Sequence, residues 1–179
     1  MHIDPTVYTG RPSDQRIPQE EAIYDKLEEL SIPFTRVDHD HADTMEDCLR
    51  IESVLGGKIC KNLFLCNRQQ TEFYLLTMPG GKPFQTKVLS HQLGTTRLSF
   101  APPELMESML RCTPGSASVL GLAYDTEHRV RLVMDRAVHD ADWFGCHPCK
   151  NDASLRLRTE DLLRVFLPHT GHDVTVVDL

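Results

Sequence analysis

Apolar residues recur along the chain in two spacings, one typical of helices and one typical of strands. In residues 18–30 they lie three or four positions apart after a proline and several acids, which predicts a helix. A second helix is predicted from Thr44, where T-x-x-D resembles a capping box, to the helix-ending Gly56. Further helices are predicted at 82–94, at 102–111 and, capped by Thr159, at 160–171.

Short apolar or alternating runs between the helices predict strands. Residues 61–67 and 72–78 are two such runs joined by the polar sequence RQQT, which predicts a hairpin. A glycine-containing loop at 113–122 is expected to lead into another strand, and the remaining strands are predicted at 32–39, 97–101, 128–138, 154–158 and 173–179. Because helices and strands do not alternate in repeated βα units, we expect an α+β fold with a central mixed, largely antiparallel sheet flanked by helices.

The 179 residues are enough for one sizeable core and too few for two full domains. Residues 1–16 are polar and interrupted by proline and glycine, so we expect a loose N-terminal arm before a single domain at 17–179. No apolar run approaches the roughly 18 residues of a membrane span, and the N-terminus lacks the apolar segment of a secretory signal. We therefore expect a cytoplasmic protein with no membrane partner and with its six cysteines reduced.

The formal net charge of -7 argues against a protein that coats DNA or RNA, because phosphate binding needs lysine and arginine. A local basic patch remains compatible with that charge. Any contact with nucleic acid should therefore be small and specific to one site.

Lys61 stands between a glycine pair and the apolar run NLFL, which reads as a buried strand. An ammonium group at the end of a sheet, where pockets tend to form, could bind a phosphate or a carbonyl oxygen. The alternative is an ordinary surface lysine with its head in water. We favour an electrostatic and positioning role for Lys61, since nothing in the sequence indicates the neutral amine that a general base requires.

Two further segments carry candidate chemistry. Small residues at 113–122 would let backbone N–H groups approach a ligand and stabilise an oxyanion, although an ordinary loop is the alternative. Ser116 and Ser118 could be nucleophiles, but there is no G-x-S-x-G elbow, so we do not expect covalent catalysis. Cys146 and Cys149 have C-x-x-C spacing around His147, yet no second ligand pair for zinc and no redox context accompany them. A His-Pro turn lining a pocket is favoured there.

Five fragments in this order resemble a known family: KNLFL after a Gly-rich turn, LSFA, PGSASVLGL, CHPCKN and the closing FLPHTGHDVTVVDL. The order and spacing are similar to those of the free-standing prolyl-tRNA editing proteins of the YbaK and prolyl-tRNA-synthetase-associated superfamily. Within it the PrdX branch, also called ProXp-ala, is the nearest match. The similarity runs from about residue 18 to the C-terminus.

The resemblance implies hydrolysis of alanine mischarged onto tRNA(Pro), without metal or cofactor. The family's important lysine falls on Lys61, with Lys58, Lys82 and Lys87 adding positive charge for RNA binding. The acceptor end of tRNA(Pro) is the implied partner, and prolyl-tRNA synthetase or an elongation factor is a further candidate. The implied substrate-binding residues are Pro114, Gly115, Ser116, Ala117, Ser118, Val119, Leu120, Gly121, His147 and Pro148, of which Val119 and Leu120 are natural walls against proline.

Three alternatives stay open at this point. The same fold could deacylate another small mischarged aminoacyl-tRNA, such as Cys-tRNA(Pro). The protein could instead be a non-catalytic module that binds tRNA or a synthetase. A zinc protein using Cys146, His147 and Cys149 is the third.

Overall fold

Nine strands form two sheets in the computed structural model, which describes residues 1–179 without a gap. The first sheet is antiparallel, in the spatial order β1 (Tyr8–Thr9), β2 (Phe34–Asp38), β8 (Ala153–Arg158) and β7 (Trp143–Cys146). The second has the order β5 (Ser99–Phe100), β3 (Cys60–Cys66), β4 (Phe73–Pro79), β6 (Val130–Asp135) and β9 (Val174–Val177). In this second sheet β3 pairs antiparallel with β4 and β5, while β4–β6 and β6–β9 are parallel.

The expected α+β class and the β3–β4 hairpin are confirmed, but the strands form two sheets where we expected one. The sheets touch through a parallel bridge between Ile59 and Gly145. A β-carbon at Gly145 would lie 2.2 Å from the carbonyl oxygen of Lys58, so only glycine allows this close approach. The bridge brings the start of β3 to the end of β7.

The helices are α1 (Pro18–Glu29), α2 (Met45–Leu55), α3 (Thr86–Leu93), α4 (Pro103–Leu110), a 3-10 helix (Val119–Tyr124), α5 (Arg136–His139), α6 (Thr159–Asp161), a π-helical turn (Leu162–Phe166) and α7 (Leu167–Thr170). The predicted ends of α2 are confirmed. Thr44 and Asp47 form the capping box, and Gly56 ends the helix in the left-handed conformation with φ 72°. No helix is both long and apolar enough to cross a membrane.

The main core lies between the two sheets, α1 and the C-terminal helical segment, and contains 28 buried apolar residues. A second cluster, which includes Leu76 and Val133, covers the opposite face of the five-stranded sheet. Strand β4 is therefore buried on both faces. This explains why its sequence, FYLLTMP, is a continuous apolar run without alternation.

The N-terminal arm is not loose, contrary to expectation. Tyr8 and Thr9 pair with Arg36 and Thr35 of β2, which makes the arm an edge strand. The Arg36 guanidinium stacks 4.8 Å from the centre of the Tyr8 ring and donates to the Gly10 carbonyl at 2.6 Å. These long-range contacts supply the order that the polar composition did not predict.

Three local predictions also differ from the structure. The loop at 113–122 leads into the 3-10 helix and not into a strand. Thr159 is the first residue of α6 and makes no cap; Arg158 holds the capping position. Strand β7 was not predicted, because its four residues are followed at once by the His-Pro turn and give too short a pattern.

Candidate active site

A cavity of about 440 Å³ opens between the first turns of α2, strand β3 and the loop before the 3-10 helix. Its volume lies in the range of small-molecule sites. Among its lining residues are five that the sequence predicted: Lys61, Pro114, Gly115, Ala117 and His147. The fold thus brings Lys61 and the first half of the loop to the same cavity, although more than 50 residues separate them.

Lys61 enters this cavity from the second residue of β3. Its ammonium donates a hydrogen bond to the Lys82 carbonyl oxygen at 2.6 Å, and no carboxylate lies within ion-pair distance. An ammonium has three donors, so two remain for a ligand. The carbonyl bond fixes the position of the positive charge without neutralising it.

The loop that includes Gly115 and Ala117 also lines the cavity and contains backbone donors. The Ser116 hydroxyl accepts from the Thr113 N–H and donates to the Thr113 carbonyl, each at 2.9 Å, and Gly115 has φ +85°. This tight turn leaves the N–H groups of Gly115 and Ala117 without an acceptor in the protein. Such unpaired N–H groups can bind a carbonyl oxygen on which negative charge develops.

The hydroxyl groups of Ser116 and Ser118 form hydrogen bonds to the backbone of the loop. Both are buried outside the cavity lining, and the Ser118 hydroxyl accepts from the Leu120 N–H at 3.2 Å to start the 3-10 helix. Gly121 packs against α4, where a β-carbon would lie 2.7 Å from the Leu110 carbonyl oxygen. These three residues build the loop and do not touch the cavity.

The expectation that Val119 and Leu120 wall the cavity is wrong. Both side chains are fully buried in the main core, and neither lines the cavity. An apolar pair after a small-residue loop has the same pattern whether it faces a ligand or the core. The apolar part of the lining comes from other elements and includes Ile59, Leu63, Phe64 and Met106.

His147 lies at the end of β7 with its ring buried against the cavity. Its Nδ1 is 2.9 Å from the Ala153 carbonyl oxygen, which can only accept, so Nδ1 carries the proton and Nε2 is left as an acceptor. Burial lowers the pKa of His147 to about 4, so the ring is neutral at pH 7. Pro148 is buried in the turn behind it and does not line the cavity.

The three lysines expected to bind RNA lie outside the cavity and apart from one another. Lys58 is exposed and pairs with Glu52 at 2.9 Å, while Lys82 pairs with the buried Asp135 at 2.8 Å. Lys87 is exposed in a separate shallow cleft beside Arg97. The structure does not gather them into one patch.

The sequence did not single out Asn151, which ties the site together. Its side-chain N–H groups donate to the Ala42 carbonyl at 2.8 Å and to the Gly115 carbonyl at 3.0 Å. Asn62 also lines the cavity, and its buried amide oxygen has no hydrogen-bond partner. Two features of the sequence could have indicated these residues: Asn151 is the last residue of the CHPCKN fragment, and Asn62 is a polar residue within an otherwise apolar strand.

The cysteines do not supply a nucleophile or a zinc site. Cys48 and Cys60 line the cavity, but burial raises the pKa of both thiols, to about 11 for Cys60. Burial also raises the pKa of Cys146. No three His, Cys, Asp or Glu side chains converge in a metal-binding group, so the zinc alternative gains no support from the geometry.

A fixed ammonium, unpaired N–H groups and the absence of an activated nucleophile define a class of site. It suits the hydrolysis of a small ester by a bound water, with no covalent intermediate. Residues 39–165 match the family model for the aminoacyl-tRNA editing domain, and the chain belongs to that family. This confirms the expected enzyme class, an aminoacyl-tRNA deacylase.

Relatives extend the comparison over most of the chain. It is 31% identical over 145 residues to the prolyl-tRNA editing protein ProX of Acetoanaerobium sticklandii, covering 81% of this chain and 88% of that protein. It is 33% identical over 153 residues to prolyl-tRNA synthetase associated domain-containing protein 1 of Danio rerio, covering 84% and 82%. A crystal structure of a protein proposed to be a trans-editing enzyme for prolyl tRNA synthetase superposes with a TM-score of 0.67 at 15% identity, covering 92% and 99%, which shows the shared fold.

Proposed function

We propose that this protein hydrolyses alanine from mischarged tRNA(Pro) as a free-standing editing enzyme. The observation that carries the proposal is the shared cavity, which is lined by Lys61, whose ammonium lacks a carboxylate partner, and by a loop with two unpaired N–H groups. The printed names of the ProX and synthetase-associated relatives support tRNA(Pro) as the RNA.

In the proposed reaction the alanyl ester enters the cavity from the 3′ end of the tRNA. Lys61 binds the terminal phosphate or orients the ester, and the Gly115 and Ala117 N–H groups bind the carbonyl oxygen. A water adds to the carbonyl carbon, the ester C–O bond breaks, and the ribose hydroxyl leaves with a proton. As the family resemblance suggests, the neighbouring ribose hydroxyl helps to position that water.

His147 adds an acceptor to the same cavity. Because its Nε2 is unprotonated at pH 7, it can accept a hydrogen bond from the substrate's ammonium group or from the water. Asn151 acts as a positioning residue, since it holds the carbonyl of Gly115 and thereby the direction of the loop.

Selectivity against proline would come from the size of the cavity. A synthetase built for proline discriminates poorly against the smaller alanine, because one methylene is worth only about 1–3 kcal/mol. A second site can reject the larger residue sterically. We assign this role to the apolar lining around Leu63 and Met106, in place of Val119 and Leu120.

Lys58 and Lys87 would add positive potential for the RNA, while Lys82 places the carbonyl that holds Lys61. Prolyl-tRNA synthetase or an elongation factor could present the mischarged tRNA. The proposed contact with RNA is confined to the acceptor end, which agrees with a net charge of -7.

The test is a deacylation panel with the purified protein and Ala-, Cys- and Pro-charged tRNA(Pro). We expect rapid loss of alanine and at least tenfold slower loss of proline. Preferred hydrolysis of the cysteinyl ester would replace the substrate and keep the reaction. If the protein binds tRNA but hydrolyses none of these esters, even with enzyme in excess over substrate, the protein is a non-catalytic binding module and the proposed reaction is wrong.

A further inference from the structure

We propose that Phe100 is a stacking platform for the base of the 3′-terminal nucleotide of the RNA. The proposal rests on the proposed function and assigns a role to Phe100, which the sequence analysis quoted within the LSFA fragment without giving it a function. Phe100 lines the mouth of the cavity, and at 65% it is the most exposed large apolar side chain of the protein.

Exposing a phenylalanine ring to water is unfavourable in free energy. The backbone of Phe100 is positioned by strand pairing, and its ring contacts Phe84. Strand β5 is short and pairs with the end of β3, where Phe100 lies opposite Leu65. The Phe84 ring packs edge-on against it, with the two ring centres 6.4 Å apart. The Phe100 ring therefore has one aromatic neighbour, Phe84, and leaves most of its surface open to a ligand.

A second exposed apolar side chain, that of Met45, lines the same cavity. Met45, at the start of α2, lines the cavity and is 50% exposed, and Leu49 one turn later is 55% exposed. A flat apolar ligand could thus lie between a ring and a flexible thioether. A base attached to the ribose whose ester occupies the cavity would reach this position first.

The charges around Phe100 favour a nucleic acid over an apolar peptide as the occupant. Lys61 lines the same cavity as Phe100, and its ammonium has no carboxylate within ion-pair distance. An aromatic face and an unpaired cation at one site form the combination that binds single-stranded nucleic acid, whose bases stack while its phosphates meet the cation.

The experiment is a double-mutant cycle on RNA binding. Phe100→Ala and Phe100→Tyr are measured by fluorescence anisotropy with a tRNA(Pro) transcript and with the same transcript lacking its 3′-terminal base. We expect Phe100→Ala to weaken binding of the intact transcript about five- to 100-fold, the range of stacking one base. It should cause little further loss with the abasic transcript, and Phe100→Tyr should bind like the unaltered protein.

Tyr8→Ala is the matched control, because Tyr8 is an exposed aromatic residue, 37% accessible, on the edge of the other sheet, and the arginine stacked on it, Arg36, is paired with Asp38. It should leave binding unchanged. Equal losses with both transcripts, or no loss for Phe100→Ala, would overturn the platform even if the protein deacylates Ala-tRNA(Pro). Conversely, a Phe100-dependent contribution of the terminal base without any deacylation would keep the platform and remove the proposed reaction. Circular dichroism checks that each variant is folded.

Discussion

Lys61, which lines the cavity, and Lys82, which lies outside it, are joined by a hydrogen bond, yet their ammonium groups have opposite surroundings. The ammonium of Lys82 is paired with Asp135, a carboxylate that is 1% exposed, whereas the ammonium of Lys61 meets only a backbone carbonyl. The carbonyl that holds Lys61 belongs to Lys82 itself. A positively charged side chain near a site is therefore not sufficient evidence that it binds a ligand. A lysine paired with a buried carboxylate stabilises the fold, whereas a lysine without a carboxylate partner is available to a ligand.

The largest expected effect separates these two lysines. Lys61→Ala should lower the deacylation rate at least tenfold and the free energy of unfolding by only about 1 kcal/mol, because one hydrogen bond and no ion pair is lost. Lys82→Ala should lower the free energy of unfolding by about 2–3 kcal/mol, since it leaves the Asp135 carboxylate buried and unpaired. Single-turnover deacylation and urea unfolding measure the two effects.

Lys58→Ala is the control for charge alone, as Lys58 is exposed and its pair with Glu52 is at the surface. It should change stability by less than about 1 kcal/mol. If Lys58→Ala lowers the rate as much as Lys61→Ala does, position 61 has no special role. If Lys82→Ala is as stable as the unaltered protein, the comparison of the two lysines fails.

A similar contrast divides the glycine-containing loop, whose first half lines the cavity and whose second half lies in the core. Gly121→Ala should cost about 2 kcal/mol of stability, because its β-carbon would meet the Leu110 carbonyl at 2.7 Å. Gly115→Ala has no neighbour closer than 3.7 Å and should cost about 1 kcal/mol for its positive φ. Thermal unfolding measures the stability of both variants. A larger loss for Gly115→Ala than for Gly121→Ala would contradict the division of the loop into a cavity half and a core half.

The buried imidazole gives a prediction on pH. Burial lowers the pKa of His147 to about 4 from an unfolded value of about 6.5, so the unfolded chain binds more protons between these values. Stability should therefore fall as pH falls below 6.5, by about 2 kcal/mol at pH 5 from His147 alone. His147→Gln should make the urea midpoint less sensitive to pH in this window, and an unchanged slope would contradict the assignment. His39, whose pKa burial also lowers, accounts for a remaining slope of the same sign.

The last prediction concerns Asn151, which is expected to position the loop. Asn151→Ala removes two hydrogen bonds to carbonyl oxygens and should cost about 1–2 kcal/mol of stability. If it positions the loop, the deacylation rate at saturating substrate should fall while the affinity for the tRNA stays unchanged. Asn67→Ala removes side-chain hydrogen bonds in the turn that follows β3; it serves as the control and should leave the rate unchanged.

Local sequence was enough to predict the features that depend on neighbouring residues. The Thr44 capping box, the left-handed Gly56 and the β3–β4 hairpin each arise from a few adjacent positions. The division into two sheets and the order of the arm depend on pairings more than 20 residues apart, which no short pattern encodes.

The candidate site shows the same limit. Lys61 was recognisable because a lysine directly precedes an apolar strand. The loop was recognisable because it contains glycine and other small residues. Asn151 escaped notice because its function is to join residues 42 and 115, which are distant in sequence. Val119 was misassigned because burial against the core and burial against a ligand require the same apolar side chain.

The most direct test is a crystal structure with a non-hydrolysable analogue, adenosine carrying alanine through a 3′-amide. We expect the amide oxygen within hydrogen-bond distance of the Gly115 or Ala117 N–H, the Lys61 ammonium beside the sugar end, and the adenine against Phe100. An analogue bound elsewhere, for instance in the cleft of Lys87 and Arg97 with the cavity empty, would contradict it.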